Sequence, residues 1–187
     1  MRLFVAAEIS DEIRHECKKM IDSLNESGAD LKTVRPENLH VTMKFLGDVR
    51  EDYVKRVSDT LKQFSGDFQP LRAGFSVMGY FGGTRFPRVI WVGISEGREI
   101  ISEMAGDLNK RLSWIRKDDR KPRPHLTLAR VRTTRNTEKL LDTIRLLRDV
   151  KLGELNVNEI VLKQSILKPD GPVYKDIEVF RLGKKES

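Results

Sequence analysis

Apolar and polar positions along the chain predict short strands that alternate with amphipathic helices. The continuously apolar run from Leu3 to Ala7 is typical of a buried strand. A helix is expected to follow, because apolar residues recur at helical spacing between Ser10, a favoured N-cap residue, and Gly28, which would end it. Its apolar positions are Ile13, Cys17, Met20, Ile21 and Leu24.

Three further helices and four further strands are predicted in the same way. The second helix opens at the acidic residues 51–52 and ends at Gly66, the third is capped by Ser95, and the fourth follows Thr137. The last two strands are expected to form a hairpin, the first of them long or broken, because a proline- and glycine-rich turn separates them. These strands are predicted at 68–77, 88–94, 155–167 and 174–182.

The segment Met78–Arg85 is rich in glycine and could be mistaken for a phosphate-binding loop. It lacks the Lys-Ser/Thr ending of such a loop, and no helical pattern follows it. We therefore expect a mobile loop between strands. Its aromatic residues Tyr80 and Phe81, and the adjacent Phe86, are candidates for packing against a nucleobase.

One pattern of histidine, apolar residue, threonine and apolar residue occurs twice, as His40-Val41-Thr42-Met43 and His125-Leu126-Thr127-Leu128. Two of the three histidines therefore share one sequence context. Because successive side chains of a strand point to opposite faces, each histidine should share a face with its threonine, and the apolar residues should point inward. The third histidine, His15, lies off the apolar stripe of its helix and is expected at the surface.

The two motifs lie 85 positions apart (125 − 40), and the same offset places Ser10 on Ser95. Each half then runs strand, helix, histidine strand, helix, strand, which indicates a duplication. We expect an α+β fold formed by a single bilobal domain over 1–187, with repeat halves of roughly 1–85 and 86–187. An approximate twofold axis would relate two antiparallel sheets backed by helices, around a central cleft that holds both histidines.

Charge and cysteine content indicate the kind of partner and the cellular compartment of the protein. The net charge of +7 and the pI near 9.6 favour an anionic partner, nucleic acid first. The single Cys17 excludes an internal disulfide and fits a reducing compartment, and the opening apolar run is too short for a signal sequence or a membrane span. We expect a cytoplasmic monomer that does not contact a membrane.

Paired histidines suit the hydrolysis of a cyclic phosphodiester. One group must take a proton from the attacking water, and another must protonate the departing oxygen on the opposite side of phosphorus. Histidine can fill both roles near neutral pH. Thr42 and Thr127 would donate hydroxyl groups to the phosphoryl oxygens.

Two basic residues near the motifs are candidates for binding phosphate. Lys44 should share the face of His40, since it lies four residues after it in the same strand. Arg130 lies five residues after His125, so it would face away from the histidine unless the strand contains a bulge or ends first. Its guanidinium would offer phosphate a fork of donors.

Three other roles of the histidines fit the sequence less well. Buried structural histidines would not explain the repeated threonine. A metal site would lack ligands, because the motifs offer two histidines and no obvious carboxylate on the same strands. A serine-hydrolase triad lacks its Gly-x-Ser-x-Gly motif.

The tandem motifs resemble those of the 2H phosphoesterase superfamily. Three further segments are similar, more narrowly, to the RNA 2′,3′-cyclic phosphodiesterase family, also called the 2′-5′ RNA ligase family, and the resemblance spans the whole chain. The segments are Met1–Ala6, Lys44-Phe45-Leu46-Gly47 and Leu162-x-x-Ser165-x-Leu167-x-Pro169-x-Gly171-Pro172-x-Tyr174.

This resemblance implies a bilobal α+β fold without metal or cofactor that hydrolyses 2′,3′-cyclic phosphate ends of RNA to 2′-phosphate ends. It implies that His40 is the proton donor to the leaving 3′ oxygen and that His125 is the proton acceptor from water. Arg130 matches a phosphate-contacting position of the family. Lys44 stands where family members often have arginine, so it keeps the charge and loses the bidentate fork.

The residues leave several alternatives open. The cellular reaction could run in reverse, as a 2′-5′ RNA ligase that joins a cyclic end to a 5′ hydroxyl. The protein could also be an RNA-end binding protein without turnover. Small cyclic nucleotides and ADP-ribose cyclic phosphate remain alternative substrates.

Overall fold

The chain folds into strands and helices in the predicted alternating order. The structure is a computed structural model that describes residues 1–183, so the last four residues of the predicted domain lie outside the described part. The helices are α1 (Asp11–Glu26), α2 (Glu51–Asp67), α3 (Arg98–Arg111) and α4 (Thr137–Leu146). The strands are β1 (Arg2–Ala7), β2 (Leu31–Thr33), β3 (Val41–Asp48), β4 (Leu71–Gly83), β5 (Phe86–Glu96), β6 (His125–Val131), β7 (Gly153–Val157), β8 (Glu159–Lys168) and β9 (Gly171–Arg181).

The helix boundaries follow the predicted signals in part. The Ser10 hydroxyl accepts a hydrogen bond from the Ile13 amide at 3.3 Å, and all five predicted apolar residues of α1 are buried. Helix α2 continues through Gly66 to Asp67. The predicted cap at Ser95 is wrong, because Ser95 still belongs to β5 and α3 begins after Gly97, whose φ of 71° reverses the chain there.

The strands form one antiparallel sheet in the order β7-β4-β5-β6-β3-β1-β8-β9, with β2 paired to β6. We call the part with β1, β3, β8 and β9 lobe A, and the part with β2 and β4–β7 lobe B. The predicted α+β class is confirmed. Where two sheets were expected, Val41 of β3 pairs with Leu126 of β6 and makes the sheet continuous across the lobes.

Each lobe contains elements from both halves of the sequence. Strand β4 comes from the first half and lies in lobe B, whereas β8 comes from the second half and lies in lobe A. Helix α1 packs against β6, β7 and α4 of lobe B, and α3 packs against β3 of lobe A. The first half therefore contributes α1 and β4 to lobe B, and the second half contributes α3 and β8 to lobe A. The sequence halves do not coincide with the lobes.

The glycine-rich segment is not a loop, contrary to the prediction. Residues 78–83 belong to β4, which forms a long hairpin with β5 and turns at residues 84–85. Glycine has a packing role here: a Cβ on Gly79 would lie 2.6 Å from Cζ2 of Trp91, so only glycine leaves room for the indole. Of the two alternatives for the strand at 155–167, long or broken, the structure shows the broken one, since β7 and β8 are separate.

One sheet face packs against the helices and the other, which we call the open face, does not. The buried core takes alternate residues of the central strands, among them Leu3, Val5, Val41, Leu126 and Leu128. The residues between them, such as Phe4 and Thr42, point to the open face. Among residues 1–183, no helix has the length and apolar composition needed to cross a membrane.

Candidate active site

His40 and His125 lie where the two lobes meet. His40 directly precedes β3 and His125 opens β6, and these strands are joined by the pair of Val41 and Leu126. Both paired residues are buried in the core, so both histidines point to the open face. Residues placed diagonally across antiparallel strands lie about 7–8 Å apart. His40 and His125 are therefore neighbours on the open face, and we call the space above them the cleft.

The threonines of the motifs complete this arrangement. Extending the Val41–Leu126 register by one residue on each side places His40 opposite Thr127 and Thr42 opposite His125. The Thr42 hydroxyl oxygen lies 3.0 Å from Nε2 of His40. The structure thus brings the four predicted motif residues together on one face, as the alternation of the sequence indicated.

Both imidazoles are held by the same backbone contact. Nδ1 of His40 lies 2.7 Å from the carbonyl oxygen of Asn38, and Nδ1 of His125 lies 2.5 Å from that of Arg123. Each acceptor lies two residues upstream of its histidine. Because a carbonyl oxygen can only accept, Nδ1 carries a proton in both rings, which leaves Nε2 to exchange a proton with a ligand.

Asn38 also ties His40 to the hairpin of β8 and β9. Its side-chain amide donates to the carbonyl oxygen of Pro172 at 2.9 Å, while its own carbonyl accepts from His40. Arg35 adds a bond of 2.9 Å to the Asp170 carboxylate in the turn of that hairpin. These contacts fix the segment before His40 against the strand that carries Tyr174.

Arg130 reaches the open face through a bulge in β6. Ile90 pairs with Ala129 and Trp91 with Thr127, so Leu128 has no partner of its own in β5. Its carbonyl accepts instead from the Val34 amide at 2.8 Å. The extra residue reverses the alternation, so Arg130 is exposed on the same side as His125. This is the irregularity that the sequence position of Arg130 requires.

The prediction that Lys44 shares the face of His40 is wrong. Val5 pairs with Lys44 and Ala6 with Thr42, so Met43 is an extra residue and the strand alternation reverses after it. The Lys44 side chain is consequently buried on the helix side of the sheet, where Nζ donates to Oδ1 of Asn109 in α3 at 2.6 Å. Lys44 does not line the cleft.

Lys44 instead anchors the connection that leads to His125. The Asn109 amide that it contacts donates to the Asp118 carbonyl at 2.7 Å and accepts from the Asp118 amide at 3.1 Å. Asp118 lies in the irregular segment between α3 and β6. Burial lowers the pKa of Lys44, and the nearby Asp118 opposes this shift.

Aromatic rings frame each histidine. His40 lies 4.9 Å from the ring centre of Phe4 and 5.3 Å from that of Tyr174, the latter edge-on. His125 lies 5.0 Å from Phe81 and 6.2 Å from Trp91. Of these four, only Phe81 is a candidate ligand contact by its sequence pattern. Tyr174 and Phe4 both lie in segments that resemble the family, whereas Trp91 lies in a pattern that indicates only a buried strand.

Burial lowers the pKa of both imidazoles below the ordinary value of 6.5. The bonds from Nδ1 to the backbone carbonyls act in the opposite direction, because they favour the protonated ring. The charged neighbours differ between the rings. Glu8 raises the pKa of His40, against smaller effects of Lys163 and Arg14, whereas Arg130 lowers the pKa of His125. Burial thus favours the neutral form of both rings.

The model of the LigT-like phosphoesterase family matches this chain twice, over residues 7–91 and 92–174. Each match contains one of the two histidine motifs. The chain belongs to the LigT-like phosphoesterase family. The resemblance to 2H phosphoesterases is thereby confirmed, and two successive matches to one model are what a duplicated sequence produces.

Proteins similar to this phosphoesterase over nearly their whole length carry one name. The RNA 2′,3′-cyclic phosphodiesterase of Archaeoglobus fulgidus is 38% identical over 182 residues, which is 96% of this chain and 99% of the relative. The RNA 2′,3′-cyclic phosphodiesterase of Methanothermobacter thermautotrophicus is 36% identical over 185 residues, with shares of 97% and 99%.

Solved structures share the fold of the phosphoesterase. A Thermus thermophilus protein superimposes with a TM-score of 0.82 at 27% identity, covering 100% of both chains. Escherichia coli LigT, solved with 3′-AMP, superimposes with a TM-score of 0.75 at 21% identity, covering 98% of both chains. The second likeness concerns the fold alone.

The phosphoesterase cleft offers two hydroxyl groups and one cation to a ligand. Thr42, Thr127 and Arg130 surround the two imidazoles, and their hydroxyl and guanidinium groups suit the oxygens of an anion. Within residues 1–183, no group of three or more histidine, cysteine, aspartate or glutamate side chains is arranged to hold a metal ion.

Proposed function

We propose that this protein is an RNA 2′,3′-cyclic phosphodiesterase that hydrolyses 2′,3′-cyclic phosphate ends to 2′-phosphomonoesters. The observation that carries the proposal is the pair of imidazoles that border one cleft, each with a protonated Nδ1 held by the carbonyl two residues upstream. The names of the relatives from Archaeoglobus and Methanothermobacter support the same reaction.

In the proposed reaction, Nε2 of His125 takes a proton from a water molecule as its oxygen attacks phosphorus. The bond from phosphorus to the 3′ oxygen breaks on the opposite side, and Nε2 of His40 gives its proton to that oxygen. The products are a 2′-phosphate and a free 3′ hydroxyl. One proton enters at His125 and one leaves at His40, so a proton exchange with solvent restores both rings.

The charges around the two rings support this assignment of roles. Glu8 raises the pKa of His40, against smaller opposite effects of Lys163 and Arg14, and so favours the imidazolium that a proton donor needs. Arg130 destabilises the imidazolium of His125 and suits a proton acceptor. The asymmetry is independent of the family resemblance, from which the same roles follow.

The remaining residues of the cleft are proposed to bind the phosphoryl group. The hydroxyls of Thr42 and Thr127 would donate to its non-bridging oxygens, and Arg130 would neutralise the charge that grows on them. Binding of the anionic cyclic phosphate would also raise the pKa of His40, because a negative charge nearby favours the imidazolium. Substrate binding would thus favour the protonated form of His40, which is the form that donates the proton.

A direct test uses an oligonucleotide that ends in a 2′,3′-cyclic phosphate, incubated with the protein in EDTA and analysed by chromatography. The expected product is the 2′-phosphate. His40→Ala and His125→Ala should each lower kcat/KM by about 10²–10⁴-fold, which is the usual contribution of general acid–base catalysis. Retention of the ring by the wild-type protein, or a 3′-phosphate product, would contradict the proposal.

The alternatives from the sequence are separated by the same assay. For a 2′-5′ RNA ligase, the rate of joining the cyclic end to an added 5′ hydroxyl would exceed the rate of hydrolysis of that end, both measured at equal enzyme concentration. An RNA-end binding protein would retain the oligonucleotide without turnover. The cytoplasmic location and the monomeric state stay predictions from the sequence.

A further inference from the structure

A second cationic group lies on the open face of lobe A, away from the histidines. Phe45 lies directly opposite Phe4 in the register of β1 and β3, so the two rings share a face. The guanidinium carbon of Arg2 lies 5.2 Å from the centre of the Phe45 ring, and that of Arg116 lies 5.3 Å from it. We call Arg2, Phe45 and Arg116 the Phe45 cluster.

The two guanidiniums of the Phe45 cluster are held in place. Attraction between a guanidinium and an aromatic face keeps each close to the ring. Arg116 also lies against Gly47, where a Cβ would come within 3.2 Å of its Nη1. The segment that carries Arg116 is pinned two residues later, since Asn109 bonds both backbone groups of Asp118.

The polar edges of both guanidiniums are available to a ligand. Both arginines are exposed, and neither forms an ion pair with a carboxylate of residues 1–183. Arg50 and Arg120, by contrast, are paired with aspartates at 2.7 and 3.1 Å. Asp48 lies opposite Arg2 in the strand register and is the nearest acidic position along β3.

The Phe45 cluster continues the candidate active site along one strand. Five positions separate His40 from Phe45, which corresponds to roughly 13–16 Å once the bulge at Met43 is allowed for. Tyr174, edge-on to His40, also lies 4.9 Å from the ring of Phe4, which pairs with Phe45 in the strand register. Aromatic rings on the open face thus connect the cleft to the cluster.

We propose that the Phe45 cluster binds backbone phosphates of the RNA strand on the 5′ side of the cyclic phosphate. The inference rests on the proposed function, since it assumes an RNA end in the histidine cleft. The planar fork of a guanidinium matches the oxygens of a phosphodiester, and the aromatic ring beneath each fork leaves its N–H edges free. The separation from His40 suits nucleotides that precede the terminal one.

The proposal separates two kinds of substrate. A 2′,3′-cyclic mononucleotide has no phosphate that could reach the Phe45 cluster, whereas an oligonucleotide with the same end does. In Arg2→Ala/Arg116→Ala, KM for the oligonucleotide should rise about tenfold and KM for the mononucleotide should stay within about twofold. The slope of log kcat/KM against log salt should fall by about 0.7 for each lost phosphate contact.

A matched control is Arg50→Ala/Arg56→Ala, which also removes two arginines that lie over aromatic rings, at 5.1 Å from Tyr53 and 4.0 Å from Trp114. This double variant should leave KM for both substrates unchanged. Asp48→Asn, which removes a negative charge beside Arg2, should lower KM for the oligonucleotide alone. An equal change for both substrates, or the same change in the control, would overturn the inference.

The inference can fail independently of the proposed function. If wild-type protein opens the mononucleotide ring and the double variant treats both substrates alike, the function stands and the cluster is not an RNA subsite. If no ring is opened, fluorescence anisotropy with a labelled 3′-phosphorylated oligonucleotide still measures binding. Loss of affinity in the double variant would then support the cluster, and unchanged affinity would reject it.

Discussion

Val41 and Leu126 are the residue pair that joins β3 to β6, and both are buried in the core. Each occupies the position between histidine and threonine in its motif. The first apolar residue of each motif therefore connects the lobes on the core side, while the histidine and the threonine on either side of it reach the cleft on the open face. One short alternating pattern provides both the joint and the chemistry.

The pH dependence of the reaction should be bell-shaped with a maximum of kcat/KM at or below about pH 6.5. Activity rises with pH as His125 loses its proton and falls as His40 loses its own, and the pKa of each free ring is below 6.5. The maximum of kcat should lie at higher pH, because bound phosphate favours imidazolium. A maximum of kcat/KM well above pH 7 would contradict these assignments.

Arg130 should affect both substrate binding and the basic role of His125. Its charge lowers the pKa of His125, so Arg130→Met should raise that pKa and move the acidic limb of the kcat/KM profile to higher pH. KM for a cyclic mononucleotide should rise at the same time. Arg130→Lys is the control, since it keeps the charge: the limb should stay in place while KM rises less. A limb that moves equally in both variants would disprove the charge effect.

Lys44→Met should reduce stability more than chemistry. The change removes the buried bond to Asn109, and a loss of about 1–2 kcal/mol in the free energy of unfolding is expected from urea titration. The kcat for a cyclic mononucleotide should stay within about threefold of wild type. Lys55→Met, at an exposed lysine paired with Asp59, should change neither quantity. A loss of kcat similar to that of His40→Ala would contradict the structural role of Lys44 and indicate that it acts in the cleft.

Gly79→Ala should disturb the indole beside His125. The added Cβ would lie 2.6 Å from Cζ2 of Trp91, so the ring must move or the strand must shift, at a cost of about 1–3 kcal/mol. Gly83→Ala in the same strand is the matched control, because nothing lies within 4 Å of its added Cβ. Tryptophan fluorescence and kcat/KM should change only in the first variant. Equal behaviour of both variants would show that the Trp91 contact is unimportant.

Val77→Gly should stabilise the protein by about 1 kcal/mol in urea unfolding. Val77 has a φ of 69°, which is strained for a β-branched residue, and it forms the bulge between Ser76 and Met78 in β4. Val179→Gly is the control at an equally exposed valine of β9 that has no positive φ. There the loss of a strand-forming side chain should destabilise by about 1 kcal/mol. Destabilisation by both changes would argue against strain at Val77.

Features set by local pattern could be predicted from the sequence. The histidine strands, the shared face of each histidine and threonine, and the capped helix α1 depend on residues close together along the chain. The bulge that Arg130 requires could be stated as a condition, because its distance from His125 has the wrong parity for a regular strand.

Features set by contacts between distant strands could not be predicted. Nothing in the spacing of Lys44 reveals the bulge at Met43 that turns it toward Asn109. The glycine-rich end of β4 indicated a loop, because the Trp91 indole that requires glycine at position 79 lies on the neighbouring strand. Ser95 occupies the position equivalent to Ser10, yet pairing with β4 extends β5 beyond Ser95 to Glu96.

The exchange of β4 and β8 between the lobes has a consequence for the origin of this architecture. A single copy of the repeat could not complete a lobe by itself, because one helix and one strand of each copy belong to the other lobe: α1 and β4 of the first copy, and α3 and β8 of the second. Two identical copies could do so by trading those elements, as in a domain-swapped homodimer. Fusion of the two genes would then have turned a symmetric dimer into one polypeptide, in which the once-identical histidines were free to become an acid and a base.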